Sequence, residues 1–167
     1  MELGVESFEG QLVRREDVQP AMQGVGLVYH IAAAYREAKH PDWYYFDVNV
    51  VGTRNVLDAA RAEGVLRVVH CSTAGVHFEV ATVPADENTP LNRGDVYQES
   101  KLEGERLALQ EFSRDLPGVV FRPVGIYGPG DSRFLKLFAP SPRDGSACSA
   151  PARCSIISPT STTWSRA

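Results

Sequence analysis

Leu66-Arg67-Val68-Val69-His70-Cys71-Ser72-Thr73 is the stretch on which the fold turns. A compact apolar run closes in two hydroxyl residues, the pattern of a strand buried within a sheet and ending at its edge. Leu27-Val28-Tyr29-His30-Ile31 repeats the pattern and is followed by the small residues Ala32-Ala33-Ala34. Val119-Val120-Phe121 repeats it again and ends at Arg122-Pro123. Helical spacing fills the intervals. Phe46, Val50, Val56, Leu57 and Ala60 recur along 42–63, with Gly64 as the stop. Leu102, Leu107 and Leu109 mark a second long helix over 96–112. Upstream, 5–10 alternates loosely and predicts a short strand, and 15–23 predicts a short helix stopped by Gly24. A polar loop containing proline occupies 81–94.

Strands alternating with helices imply an α/β fold: a doubly wound parallel sheet with helices over both faces. In such sheets the ligand lies beyond the C-terminal ends of the strands. The distinctive residues gather there, with 31–33 after one strand, Ser72-Thr73 after the next and Pro123-Val124 after the third. Strands drawn from apolar pattern and chemistry drawn from polar residues agree on one edge.

Tyr97-Gln98-Glu99-Ser100-Lys101 opens the second long helix. Side chains four apart share a helix face. A phenol, with a pKa of about ten, is a poor base at neutral pH. A neighbouring ammonium favours phenolate and lowers that pKa. With Thr73 holding a substrate oxygen, Tyr97 and Lys101 can move a proton on and off a carbinol, the acid–base half of an alcohol–ketone interconversion. A surface Tyr and Lys on an amphipathic helix is the bland alternative. The Ser-Thr strand end before the pair and the Arg-Pro strand end after it favour chemistry.

The chain has 167 residues, 43% hydrophobic and 23% charged, enough for one domain with a core. A formal net charge of −4 points away from nucleic acid or an anionic membrane as partner. No apolar run is long enough to span a bilayer, so the expected compartment is the cytoplasm. Cys71, Cys148 and Cys154, with His30, His40, His70 and His77, show no metal-ligand spacing, so no metal is expected. Cys71 reads as a core thiol.

Five landmarks in this order carry a resemblance: Tyr29-His30-Ile31-Ala32-Ala33, Asn49-Val50-Val51-Gly52-Thr53, His70-Cys71-Ser72-Thr73, Tyr97 with Lys101, and Arg122-Pro123 with Tyr127-Gly128-Pro129. Over roughly 5–138 the chain resembles an extended short-chain dehydrogenase/reductase, the group of NAD-dependent epimerases and dehydratases and 3β-hydroxysteroid dehydrogenases. The resemblance implies a Rossmann-like fold, NAD or NADP as cofactor, and a small-molecule substrate such as a nucleotide sugar or steroid-like alcohol or ketone. It implies Thr73, Tyr97 and Lys101 as catalytic residues. Ile31, Ala32 and Ala33 match the loop beside the adenosine and pyrophosphate. Asn49 matches a helix residue supporting the cofactor site, and equally a polar residue bonded to a neighbouring turn. Ser72, Pro123 and Val124 match positions near the nicotinamide, although Ser72 could simply satisfy a strand end and Val124 could be core. Gln11-Leu12 falls where the family has an Asp and an apolar residue against adenine, and Gln11 departs from that pattern. Family relatives often form homodimers through the two long helices.

The family begins with a β-α-β unit carrying a glycine-rich phosphate loop. Here the match starts at its third strand, so the expected sheet is incomplete, with 27–31 left as an exposed apolar edge. Residues 139–167, rich in Ser, Pro, Ala, Thr and Arg, read as a disordered tail beyond a partial dinucleotide-binding domain over 1–138. Read in another frame with permitted codons, 155–167 can give a Tyr-Ile-Asp-Asp-Leu segment like the family's own, so a frameshift near Phe138 is expected; a natural linker is the alternative. Two competing functions stand beside catalysis: a non-catalytic dinucleotide-binding protein of this fold, and an inactive gene remnant.

Overall fold

A computed structural model describes residues 6–35, 40–80, 83–92 and 94–126. All of them lie in the compact unit Met1–Ile126. Tyr127-Gly128-Pro129, the boundary at Phe138 and the tail expected from 139 lie outside the described residues.

Three strands form a parallel sheet in the order β1-β2-β3: β1 is Leu27–His30, β2 Arg67–Cys71 and β3 Gly118–Phe121. The α/β, Rossmann-like class read from the sequence is the one observed. The register pairs Val28 with Val68 and His30 with His70, then Val68 with Gly118 and His70 with Val120. Paired residues in a parallel ladder share a face, so Val28, His30, Val68, His70 and Val120 form one inner surface. Helices cover it. The first crossover contains α2 (Asp42–Phe46), a π-helical turn (Asp47–Val51) and α3 (Gly52–Ala62); the second contains α4 (Val96–Phe112).

The described helices cover one face of the sheet, not the two expected from the alternation. Leu27, Tyr29, Val119 and Phe121 point to the opposite face and are exposed. The cause is the winding direction. Successive right-handed crossovers that advance the same way across a sheet place their helices on the same side. The order β1-β2-β3 never reverses, so α3 and α4 pack side by side on one face.

The core lies between that face and the helices. Val28, Val56, Leu57, Ala60, Val68, Ala108 and Leu116 are buried there, with Val18 and Met22 closing one end. Fully burying a side chain such as Leu57 stabilises by about 2 kcal/mol.

Local chemistry sets the element ends. Gly64, at φ +65°, ends the α3 region in the left-handed conformation that spares glycine any Cβ penalty. A reciprocal capping box starts α4: Gln98 N donates to Asp95 Oδ1 and Asp95 N to Gln98 Oε1, each at 2.9 Å. The helix predicted over 15–23 is split into α1 (Arg15–Val18) and a 3₁₀ turn (Pro20–Met22), because Pro20 lacks the N–H an α-helix needs. The strand predicted over 5–10 does not form among the described residues 6–10. A strand exists only against a neighbour, and among the described residues no strand pairs with this segment. Instead Gln11 N donates to Asp17 Oδ2 and Arg14 N to Gln11 O in a tight turn.

Candidate active site

The site grows from the end of β2. Beyond Cys71 the ladder continues, with Ser72 N donating to Phe121 O and Ala74 N to Pro123 O, both at 2.9 Å. Thr73 then caps a 3₁₀ turn, Ala74–His77, by accepting Gly75 N at Oγ1 (3.1 Å). That contact occupies a lone pair and leaves the Thr73 O–H as a donor. The first turn of α4 meets the same place: a Cβ on Gly75 would stand 3.1 Å from Gln98 Nε2 and 3.3 Å from Thr73 Oγ1.

Tyr97, Lys101 and Glu105 follow one another at helical spacing along α4. Tyr97 is partly buried, and its ring meets Tyr35 edge-on with centroids 5.5 Å apart. Lys101 is almost fully buried, and its Nζ donates to Cys71 O at 2.7 Å. Burial pulls the Lys101 amine below its ordinary value, while Cys71 and Glu105 oppose the shift. The Cys71 thiol is pushed up by burial, against the pull of Lys101. Glu105 accepts Ser72 Oγ (2.5 Å) and pairs with Arg122, whose Nη2 lies 2.5 Å from Oε1.

Asn49 sits on the π-helical turn and holds the loop after β1. Ala34 N donates to its Oδ1 at 2.8 Å, and its Nδ2 donates to Ala34 O (3.2 Å) and Ser100 Oγ (2.9 Å). Ser100 Oγ in turn donates to Tyr97 O at 2.9 Å. Asn49 therefore links the 31–35 loop to the helix that carries Tyr97 and Lys101. Helical π turns recur at functional sites because the extra residue re-aims a side chain. Gly104 permits the close approach, since a Cβ there would stand 2.4 Å from Asn49 O.

The remaining expected cofactor contacts divide. Ile31, Ala32, Ala33 and Val124 are exposed beyond the strand ends, and Pro123 is half-buried beside them. Ser72 is buried with its hydroxyl committed to Glu105. Gln11 is exposed, whereas Leu12 packs against α3, with its carbonyl accepting Asn55 Nδ2 (2.8 Å) and its Cβ 2.9 Å from where a Gly52 Cβ would be. Sequence reasoning missed Tyr35, Glu105 and His77. Glu105 had a readable signal, four residues after Lys101 on the same face; His77 and Tyr35 had none.

These residues fit a nicotinamide dinucleotide. The Lys101 amine, seated at the strand ends, uses one N–H on Cys71 O and keeps two for a ligand, and small exposed side chains at 32 and 33 let a large ligand approach the backbone. Among the described residues no group of three or more His, Cys, Asp or Glu side chains could hold a metal ion. No helix among them is long and apolar enough to cross a membrane.

A parallel sheet with Thr73 just beyond a strand end, and a helix beside it carrying Tyr97 and Lys101, is the arrangement expected of a short-chain dehydrogenase/reductase. The chain belongs to the 3-beta hydroxysteroid dehydrogenase/isomerase family, whose profile matches residues 2–159. It is 31% identical over 146 residues to the human sterol-4-alpha-carboxylate 3-dehydrogenase, decarboxylating, covering 84% of this chain and 39% of that protein. A short-chain dehydrogenase/reductase superfamily protein from Agrobacterium tumefaciens, solved with bound NAD, aligns with TM-score 0.66 and 34% identity over 72% of this chain and 38% of its own. RMD from Pseudomonas aeruginosa, solved with NADPH, aligns with TM-score 0.68 and 26% identity over 77% and 46%. The chain thus spans less than half the length of each.

Proposed function

We propose that this chain carries the catalytic part of an NAD(P)-dependent oxidoreductase that interconverts a secondary alcohol and a ketone. One observation carries the reading: Tyr97 and Lys101 stand one turn apart on α4, with the Lys101 amine anchored on Cys71 O two residues before Thr73. Thr73 donates its O–H to the substrate oxygen. Tyr97 takes the proton from that oxygen in oxidation and returns it in reduction. Lys101, as an ammonium, favours the phenolate form of Tyr97 and offers its remaining N–H groups to a ribose hydroxyl. The nicotinamide, when bound, supplies or accepts the hydride.

Ile31, Ala32 and Ala33 give the dinucleotide a low wall, Pro123 and Val124 flank the nicotinamide end, and Gln11 stands nearest the adenine. Ser72 acts from beneath, through Glu105. Support for a nicotinamide dinucleotide comes from the two solved relatives, one with NAD and one with NADPH. The family and the human relative make a steroid-like alcohol or ketone the first substrate class to test. The reading keeps the cytoplasm as the compartment and a homodimer through the long helices as the assembly.

The test pairs NADH and NADPH fluorescence titration with turnover of a 3β-hydroxysteroid in the presence of NAD+ or NADP+, in the wild-type protein and Tyr97→Phe. The expected result is binding in both and a turnover loss of about 100-fold or more in the variant. Binding without turnover in the wild type would assign a binding module instead. Neither binding nor turnover would reject the reading.

A further inference from the structure

Glu105 is completely buried, yet it is a carboxylate held by three donor groups from two residues. Ser72 Oγ donates to Oε2, Arg122 Nε lies 3.1 Å from both carboxylate oxygens, and Arg122 Nη2 donates to Oε1. Ser72 directly follows β2 and Arg122 directly follows β3. One side chain of α4 therefore ties both strand ends together. One helical turn earlier, Lys101 rests on Cys71 O, the residue before Ser72. Adjacent residues of β2's end are thus gripped by adjacent turns of α4.

A charge buried this deeply is costly unless it is matched. Arg122 supplies one match, and its other arm reaches His77 Nε2 at 3.3 Å. As guanidinium N–H can only donate, Nε2 accepts, and His77 Nδ1–H donates to Pro90 O (3.3 Å). His77 is therefore the neutral tautomer and adds no cation. Lys101 is the second cation Glu105 acts on: burial pulls that amine down, and Cys71 and then Glu105 oppose the pull. Among the described residues His30 and His70 from the sheet and Cys71 beside it also interact with Lys101, Tyr97 lies one turn before it on α4, and Glu87 acts on Arg122.

We propose that Glu105 is a positioning residue for the catalytic lysine: its buried carboxylate fixes the strand-end backbone on which Lys101 rests and, shared with Arg122, supplies the counter-charge that keeps the amine protonated. The proposal rests on the reading of Lys101 as the ammonium partner of Tyr97. It assigns the Glu105–Arg122 pair a graded electrostatic role. Removing Glu105 exposes Lys101 to an unmatched Arg122 cation, whereas removing Arg122 leaves Glu105's full charge to Lys101. The two neutralising variants then act on Lys101 with opposite signs. A purely architectural ion pair would loosen the same contacts in both and move Lys101 the same way.

The experiment is site-resolved acylation of the protein without cofactor, from pH 6 to 10, with Lys101 followed by peptide mass spectrometry. The pH midpoint of the reaction reports the amine's protonation, while reagent access scales the rate equally at every pH. Glu105→Gln, which keeps an acceptor for Ser72, should lower the midpoint and raise the rate at pH 8 about tenfold. Arg122→Gln should raise the midpoint and slow the reaction. Ser72→Ala should leave the midpoint in place. Unchanged midpoints in both charge variants, or shifts in the same direction, overturn the proposal. Should Glu105→Gln fail to fold, by circular dichroism, the Arg122→Gln arm decides alone: an upward midpoint supports the proposal and any other result overturns it. Loss of NADH binding and turnover in the wild type would sink the oxidoreductase reading without touching these midpoints, so the two failures are distinguishable.

Discussion

The protein should lose stability steeply in mild acid, and two stacked histidines set the size of the loss. His30 and His70 are register partners on the inner face of the sheet, with ring centroids 5.2 Å apart. Thr53 Oγ1 donates to Asn49 O at 2.7 Å, so it can only accept from His30 Nε2, at 2.9 Å. That fixes the neutral tautomer of His30. Among the described residues neither ring nitrogen of His70 has a hydrogen-bond partner. Burial, then the Lys101 charge, lowers the His30 pKa to about 4. Burial, then His30 and Lys101, lowers that of His70 to about 3. The unfolded chain takes up protons at both rings below about pH 6.5, whereas the folded chain refuses them until about pH 4 and pH 3. Stability is therefore full above about pH 6.5 and falls as pH drops through that window.

At pH 5 each ring has cost about 2 kcal/mol, and the pair about 4 kcal/mol relative to pH 8. Domains of this size have roughly 5–15 kcal/mol in total. Urea unfolding followed by circular dichroism between pH 8 and pH 5 measures the loss. His70→Phe fills the same space, removes one titrating ring and removes two unpartnered nitrogens, whose burial costs about 1–3 kcal/mol. The variant should match or exceed the wild type at pH 8 and lose only about 2 kcal/mol by pH 5. A variant lacking both rings gives the background from the rest of the chain. A flat wild-type profile, or an unchanged slope in His70→Phe, would refute the reasoning.

Two further outcomes follow from the π-helical turn. Asn49→Ala removes the partners of Ala34 N, Ala34 O and Ser100 Oγ, and should cost about 2–4 kcal/mol, read as a urea midpoint shift, with faster amide exchange at residue 34 than elsewhere. Gly104→Ala drives a methyl to 2.4 Å from Asn49 O and should cost about 1–3 kcal/mol by the same assay, although alanine is the better helix former.

The parts of the fold that local pattern can encode were legible. Strands at 27–31 and 66–71 and the helix at 96–112 follow from apolar runs and 3.6-residue spacing, because each residue reports its own burial. Winding direction has no such signature. Whether a second crossover returns or advances depends on which strand β3 pairs with, so alternation alone does not tell which face the described helices cover. The π turn is equally silent: 42–63 keeps helical spacing through Asp47–Val51, and only the backbone bonds reveal the extra residue. The positions of Tyr97 and Lys101 on one helix and of Thr73 at a strand end were legible, because helical spacing and the end of an apolar run encode them locally. Glu105 and Arg122, 17 residues apart, meet only once α4 has packed across β2 and β3. The His30–His70 stack needed the register.

What sequence pattern left hidden is what joins the site to the scaffold. One side of α4 carries Tyr97, Lys101 and Glu105; the neighbouring side carries Ser100 and Gly104 against the π turn. A rigid helix cannot shift one side without the other. Asn49 reaches Tyr97 through Ser100, whose hydroxyl receives from Asn49 and donates to Tyr97 O. The same Asn49 fixes Ala34, next to Tyr35, whose ring meets Tyr97 from the other direction. Tyr97 is thereby located by backbone from below and by an aromatic edge from the side, both through one amide. The Asn49 bonds behind both contacts are buried and tolerate little displacement, while the exposed residues 31–33 beyond the strand end remain open to a ligand.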